Sequence, residues 1–244
     1  MINTIGKSDV GKVRSTNQDA YHIAKISDNV AWSVVCDGMG GASGGNVASL
    51  VAVGALSDNI NKNYNLQMED ESIKNLLVTS IVNANVLVNQ KSHQNTELSG
   101  MGTTVVLSFI KDGVAHIAHA GDRRAYLVND NAITQITRDH TMVQYLVDTG
   151  EITTEEAKNH PKKHLITRAL GVQETIDVEY NYVRLSKNDK IIMCSDGLTN
   201  LVEADEIFKT VKENNIDVAI DILVELANER GGTDNITVVM MENI

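Results

Sequence analysis

Three Asp-Gly pairs punctuate the chain, at Asp37-Gly38, Asp112-Gly113 and Asp196-Gly197. The first ends Val34-Val35-Cys36-Asp37-Gly38-Met39-Gly40-Gly41, an apolar run that stops at a carboxylate and then turns on glycines. Such a strand delivers Asp37 to an edge, where its oxygens and the unmasked carbonyl of Gly38 suit a hard cation. Lys190 to Cys194 followed by Ser195-Asp196-Gly197 has the same form, and Gly231-Gly232-Thr233-Asp234-Asn235 opens the last strand signal. Ala120-Gly121-Asp122 offers a further carboxylate, whereas Asp112 only joins two strands and has no chemistry assigned. In antiparallel sheets one strand's exit lies beside its neighbour's entry, so Asp37, Asp196 and Asp234 can meet at one edge. Carboxylates gathered there repel one another unless cations sit between them, and an all-oxygen donor set selects Mg²⁺ or Mn²⁺ over zinc or copper.

The elements that position these residues alternate in period. Ile5 to Gly11 reads as a strand and turn, and Val30 to Cys36 as the strand that ends at Asp37. Val47, Leu50, Val51 and Ala55, then Ile73, Leu76, Leu77, Ile81, Ala84 and Val88, recur at helical spacing. From Gly102 the period becomes that of strands: Thr103 to Ile110 and Val114 to Ala118 form a hairpin, and Arg124 to Val128 with Ala132 to Thr137 extends the meander. Strands at Asp177 to Leu185 and Lys190 to Cys194, helices at Ala204 to Asn214 and Asp217 to Arg230, and a strand at Ile236 to Met241 complete the order. The polar segment at about 138–168 interrupts it with two short helical pieces and reads as a mobile surface insert. Its residues His140, His160 and His164 lack metal-ligand spacing and read as surface side chains.

Composition limits the function classes. At 244 residues and 42% hydrophobic content the chain can bury a large core, and no linker or repeat divides it, so one domain over 1–244 is expected. No apolar run reaches transmembrane length and the N-terminus lacks an apolar h-region, which points to a soluble cytoplasmic protein without a membrane partner. A net charge of −11 argues against nucleic acid. Cys36 and Cys194 read as reduced core thiols, although Cys194 would share a face with Asp196 in a regular strand and could then be oxidised near a metal.

Six ordered motifs resemble those of the metal-dependent type 2C Ser/Thr protein phosphatases in their short bacterial form: Val13-Arg14-Ser15-Thr16-Asn17-Gln18-Asp19, Asp37-Gly38-Met39-Gly40-Gly41, Ser99-Gly100-Met101-Gly102-Thr103-Thr104, Ala120-Gly121-Asp122, Ser195-Asp196-Gly197-Leu198 and Gly232-Thr233-Asp234-Asn235-Ile236-Thr237. The resemblance runs from about Ile5 to Val239. It implies an α+β fold, an α-β-β-α sandwich of two antiparallel sheets flanked by helices. It further implies two Mn²⁺ or Mg²⁺ ions, with Asp37 bridging them, the Gly38 carbonyl on one, and Asp196 and Asp234 on the other. A third ion would lie near Asp122, shared with Asp196. Arg14 and Asp19, an ordinary surface pair on their own, become the phosphate-binding fork and the carboxylate that orients water.

The implied activity is hydrolysis of phosphoserine and phosphothreonine in phosphoproteins by hydroxide held between the metals, opposing a bacterial Ser/Thr kinase, in a monomer. The alternative is a catalytically weak regulatory or pseudophosphatase binding module. Several positions depart from the family pattern, Ala42 and Asn46 among them, which replace a His and a Glu common after the glycines. Met39 stands where many relatives have a proton-donating histidine, Arg123 follows Asp122 where a small hydroxyl residue is usual, and His164 falls where the insert can approach the third ion.

Overall fold

The computed structural model describes residues 1–94 and 96–244, with all their side chains except those of residues 41–43. Strands β1 (Ile2–Asp9), β2 (Asp19–Ser27) and β3 (Val30–Met39) are followed by helices α1 (Gly41–Asn63) and α2 (Asp70–Gln94). Then come β4 (Gly102–Thr103), β5 (Val105–Lys111), β6 (Val114–Ala120), β7 (Arg124–Val128) and β8 (Ile133–Gln135). Helices α3 (Met142–Asp148) and α4 (Thr154–Lys158) lie in the insert. Strands β9 (Glu179–Arg184) and β10 (Lys190–Cys194), helices α5 (Asp196–Thr199), α6 (Ala204–Glu213) and α7 (Ile216–Glu229), and strand β11 (Ile236–Asn243) complete the chain.

The strands form two antiparallel sheets, one in the order β1-β11-β10-β7-β8 and the other in the order β2-β3-β5-β6-β9, with β4 paired to the end of β3. This is the α-β-β-α sandwich that the resemblance implies. Alternation along the strands explains the layers. In β3, Trp32, Val34 and Cys36 join α1 and α2 in one core, while Ala31 and Val35 face the other sheet. In β10, Ile192 and Cys194 pack with α6 and α7, while Ile191 and Met193 face inward. Both faces of these strands are buried, so they read as unbroken apolar runs.

Two expectations are corrected and one strand is added. Strand β3 does not stop at Asp37 but continues to Met39, because Gly38 and Met39 pair with Thr103 and Gly102. Strand β2 has no counterpart in the sequence reading: its faces alternate only weakly, and few of its residues are fully buried. The meander does not continue beyond β6, because the chain crosses from one sheet to the other at Gly121-Asp122-Arg123 and β7 pairs with β10. Gly121 makes that crossing at a φ of 121°, with the Thr104 side chain 2.7 Å from where a Cβ would lie. The hairpin stands as expected, with Asp112 and Gly113 both at positive φ, the backbone of a tight two-residue turn.

The insert is tied at its base. Met142 N–H donates to the Leu165 carbonyl at 2.8 Å and Thr167 N–H to the His140 carbonyl at 2.8 Å. Arg124 of β7 holds Asp139 through three bonds of 2.6 to 3.0 Å. Among the described residues no helix is long and apolar enough to cross a membrane.

Candidate metal and phosphate site

Where the inter-sheet core reaches one end of the sandwich, its side chains turn polar. Asp37 shares the inward face with Ala31 and Val35, and Asp19 lies opposite it in the β2–β3 register. From the other sheet, Ser195 Oγ accepts from Thr237 N–H at 2.9 Å beside them. The carboxylates therefore meet across two sheets, Asp37 from one and Asp196 and Asp234 from the other, rather than along a single edge. Arg14, Asp37, Gly38, Asp122, Asp196 and Asp234 all line one cleft of about 800 Å³, joined by Met39, Arg123 and His164.

Backbone contacts place each group. Thr104 N–H and Thr103 Oγ1 both donate to the Asp37 carbonyl at 2.9 Å, which accounts for the Gly102-Thr103-Thr104 motif. Gly38 must lack a side chain, since a Cβ would lie 1.9 Å from the Gly45 carbonyl oxygen of α1. Asn235 organises the segment that carries Arg14. Its Nδ2 donates to the carbonyls of Val10 at 2.9 Å and Thr16 at 3.0 Å, and its Oδ1 accepts from Gln18 N–H at 2.8 Å. Arg14 Nη2 then donates to Asp234 Oδ2 at 2.9 Å, with the arginine side chain 53% exposed at the mouth of the cleft.

Arg123 is the residue whose place the sequence reading missed. Its Nη1 donates to Asp37 Oδ2 at 2.6 Å and to Asp196 Oδ1 at 2.5 Å. Its Nε and Nη2 donate to Asp122 Oδ1 at 3.0 and 2.7 Å. The residue was visible only as a departure from the hydroxyl expected after Asp122.

The electrostatics describe a site short of positive charge. Burial, against the pull of Arg123 and with the push of Asp19, Asp196 and Asp234, drives the Asp37 carboxyl well above its ordinary range. Burial also raises Asp19 to about 6, with the nearby Thr237 and Ser195 hydroxyls and Arg123 partly offsetting it, and neither buried oxygen has a partner in good hydrogen-bond geometry. Burial works the same way on Asp196, but the Arg123 guanidinium holds it below the usual carboxylate range. Crowded, hard-oxygen ligands and an orphaned buried carboxylate fit divalent Mg²⁺ or Mn²⁺.

The remaining candidates separate cleanly. His164 is exposed, His160 is half-buried, and both lie in the insert, whereas His140 is buried and not a surface residue. Its ring stacks on His119 at 4.6 Å, and ligand atoms of His119, His140 and Glu179 lie within 4.8 Å of one another. Gly121 N–H donates to His140 Nδ1 at 3.1 Å, and His140 Nε2 lies 3.2 Å from both Glu179 Oε2 and the Arg168 Nη1 donor. Burial, with His119 and Arg168 adding to it, lowers His140 to about 4. The unfolded chain takes up this proton near pH 6.5 and the folded chain refuses it, so the stability contribution is complete above about pH 6.5 and is lost as pH falls toward 4. We expect His140→Gln to flatten that acid limb by about 2 to 3 kcal/mol, read from urea unfolding at pH 7 and pH 4.5. Equal pH dependence in both proteins would refute the assignment.

Cys194 does not share a face with Asp196. The strand ends at Cys194 and α5 begins at Asp196, so the alternation breaks between them. The thiol packs in the sheet-helix core and burial pushes it up to about 12. Peroxide should therefore inactivate wild type and Cys194→Ser at the same rate in a timed activity assay; a resistant variant would contradict this placement.

A sandwich of two antiparallel sheets between helices, with an acidic cleft at its open end, defines the class: the chain belongs to the protein phosphatase 2C family, whose model matches residues 8–219. Membership makes it a hydrolase of phosphoproteins. The serine/threonine phosphatase stp of Listeria monocytogenes is 38% identical to it over 239 residues, covering 97% of this chain and 94% of that protein. The crystal structure of serine/threonine phosphatase Stp1 from Staphylococcus aureus superposes with a TM-score of 0.93 at 35% identity, covering 100% of this chain and 95% of that one. The catalytic domain of the phosphatase PstP, solved in complex with two manganese ions, superposes with a TM-score of 0.85 at 32% identity, covering 99% of this chain and 97% of that one.

Proposed function

We propose that this chain is a manganese- or magnesium-dependent phosphatase of phosphoseryl and phosphothreonyl proteins, acting as a cytoplasmic monomer against a Ser/Thr protein kinase. The observation that carries the reading is the convergence of Asp37, Asp196 and Asp234 from two sheets on one cleft, with Arg14 at its mouth. Asp37 and the Gly38 carbonyl would hold two ions together with Asp196 and Asp234. When bound, such a pair supplies charge neutralisation at the phosphoryl oxygens and hydroxide near neutral pH.

The chain's own residues do the rest. Arg14 releases one guanidinium edge to two phosphate oxygens while Asp234 keeps it aimed, a fork that lysine cannot reproduce. Asp19, whose buried oxygens have no partner in good hydrogen-bond geometry, accepts a hydrogen bond from water entering the cluster and fixes its orientation. Met39 lines the cleft and has no proton to give, so the leaving oxygen draws its proton from solvent in the site. Residues 1–244 act as a single catalytic domain, and the 138–168 insert acts as a mobile flap that presents His164 and Ile166 to the cleft. Assay of matched phosphothreonine, phosphoserine and phosphotyrosine peptides with Mn²⁺ tests the reading. Turnover of the first two is expected; a folded, metal-loaded protein inert on every phosphate ester would be a binding module instead.

A further inference from the structure

We propose that Arg123 is a tethered cation that competes with the divalent ions for Asp37 and Asp196, so that metal loading in this protein is an exchange of guanidinium for metal. The inference rests on the metal reading above. It starts from one side chain, 5% exposed, whose donors reach three carboxylates of the cleft. A guanidinium is always charged and presents several donors in a rigid plane, so one Arg can bind several carboxylates where a hydroxyl residue could satisfy only one.

The contacts divide the arginine into two ends. Nη1 lies between Asp37 and Asp196, the two residues a metal would need. Nε and Nη2 hold Asp122 Oδ1 from the adjacent position in the chain. Asp122 therefore serves as the counterion that anchors Arg123, which changes the role expected for it as a ligand of a third ion. The same geometry explains how a crowded acidic cleft tolerates the metal-free state, since at least one positive charge stays among the carboxylates.

Exchange is favoured by charge. A single guanidinium against three carboxylates leaves the cluster negative, and a divalent ion offers twice the charge at shorter range. The cost is the loss of two charge-assisted hydrogen bonds from a buried arginine. Arg123 thus lowers metal affinity and stabilises the metal-free protein.

The test is Mn²⁺ binding by isothermal titration calorimetry to the full chain, comparing wild type, Arg123→Ser and Arg123→Lys, with thermal unfolding of each in EDTA. Arg123→Ser should bind Mn²⁺ at least about 10-fold more tightly than wild type and unfold at a lower temperature without metal. Arg123→Lys keeps the charge but not the fork, stays folded without metal, and should fall between them. Variants that bind Mn²⁺ within threefold of wild type, or more weakly, would overturn the exchange while leaving the metal site standing. Folded wild type and variants that bind no Mn²⁺ at all would overturn the metal reading and the exchange with it.

Discussion

The Asp37→Asn protein is expected to hydrolyse a phosphothreonine peptide at least about 1,000-fold more slowly than wild type under saturating Mn²⁺, a loss of about 4 kcal/mol of transition-state stabilisation. The substitution is nearly isosteric. Thr103 and Thr104 hold the Asp37 carbonyl whichever side chain is present, so the strand and its neighbours stay in place. What disappears is the charge at the point where both sheets contribute to the cleft. Asparagine keeps one oxygen but cannot attract a divalent ion against the desolvation that already drives Asp37 upward. Circular dichroism in EDTA should remain close to wild type. A variant that retains a tenth of the activity would remove Asp37 from the metal centre.

Replacing Arg14 should act differently. Arg14→Ala is expected to lower kcat/KM on phosphopeptides about 10- to 100-fold, because charge-assisted bonds to a phosphate contribute about 1.5 to 3 kcal/mol. Mn²⁺ affinity should hardly change, since Arg14 touches the cluster only through Asp234 and its side chain is largely in solvent. Lysine at this position should recover little of the loss, as a point charge cannot replace two parallel donors. Steady-state kinetics of both variants on one phosphopeptide decide the matter. Wild-type kcat/KM in Arg14→Ala would assign phosphate binding to another cation of the cleft.

Much of the site was legible because its residues sit where regular patterns stop. An apolar run ending at Asp37, another ending just before Asp196, and a glycine turn ahead of Asp234 are local signals, and the elements around them follow from period alone. Sheet membership is not a local property. Arg124 to Val128 reads as a strand, but only Gly121 and the partners available in three dimensions decide that it pairs with β10 instead of β6. The same limit hid the geometry of the carboxylates, which meet across the gap between sheets. Strand β2 escaped because Asp19 to Ser27 mixes polar and apolar residues on both faces, and its pairing with β3 supplies what its own pattern lacks. His140 was hidden because a polar segment folds one histidine inward, where Gly121, Glu179 and Arg168 surround its ring nitrogens. Arg123 shows the limit most clearly, because residue type revealed an unusual neighbour of Asp122 but not the side-chain direction that takes it into the cluster.

The central role assigned to the carboxylate cleft is that of a metal centre that hydrolyses phosphoseryl and phosphothreonyl esters. One titration tests this most directly: metal-stripped protein is supplied with increasing Mn²⁺ while bound metal and hydrolysis of a phosphothreonine peptide are measured in the same samples. Hydrolysis should be absent in EDTA, rise with metal occupancy, and disappear again when chelator is added. Turnover at the full rate by protein shown to hold no divalent metal would contradict the account.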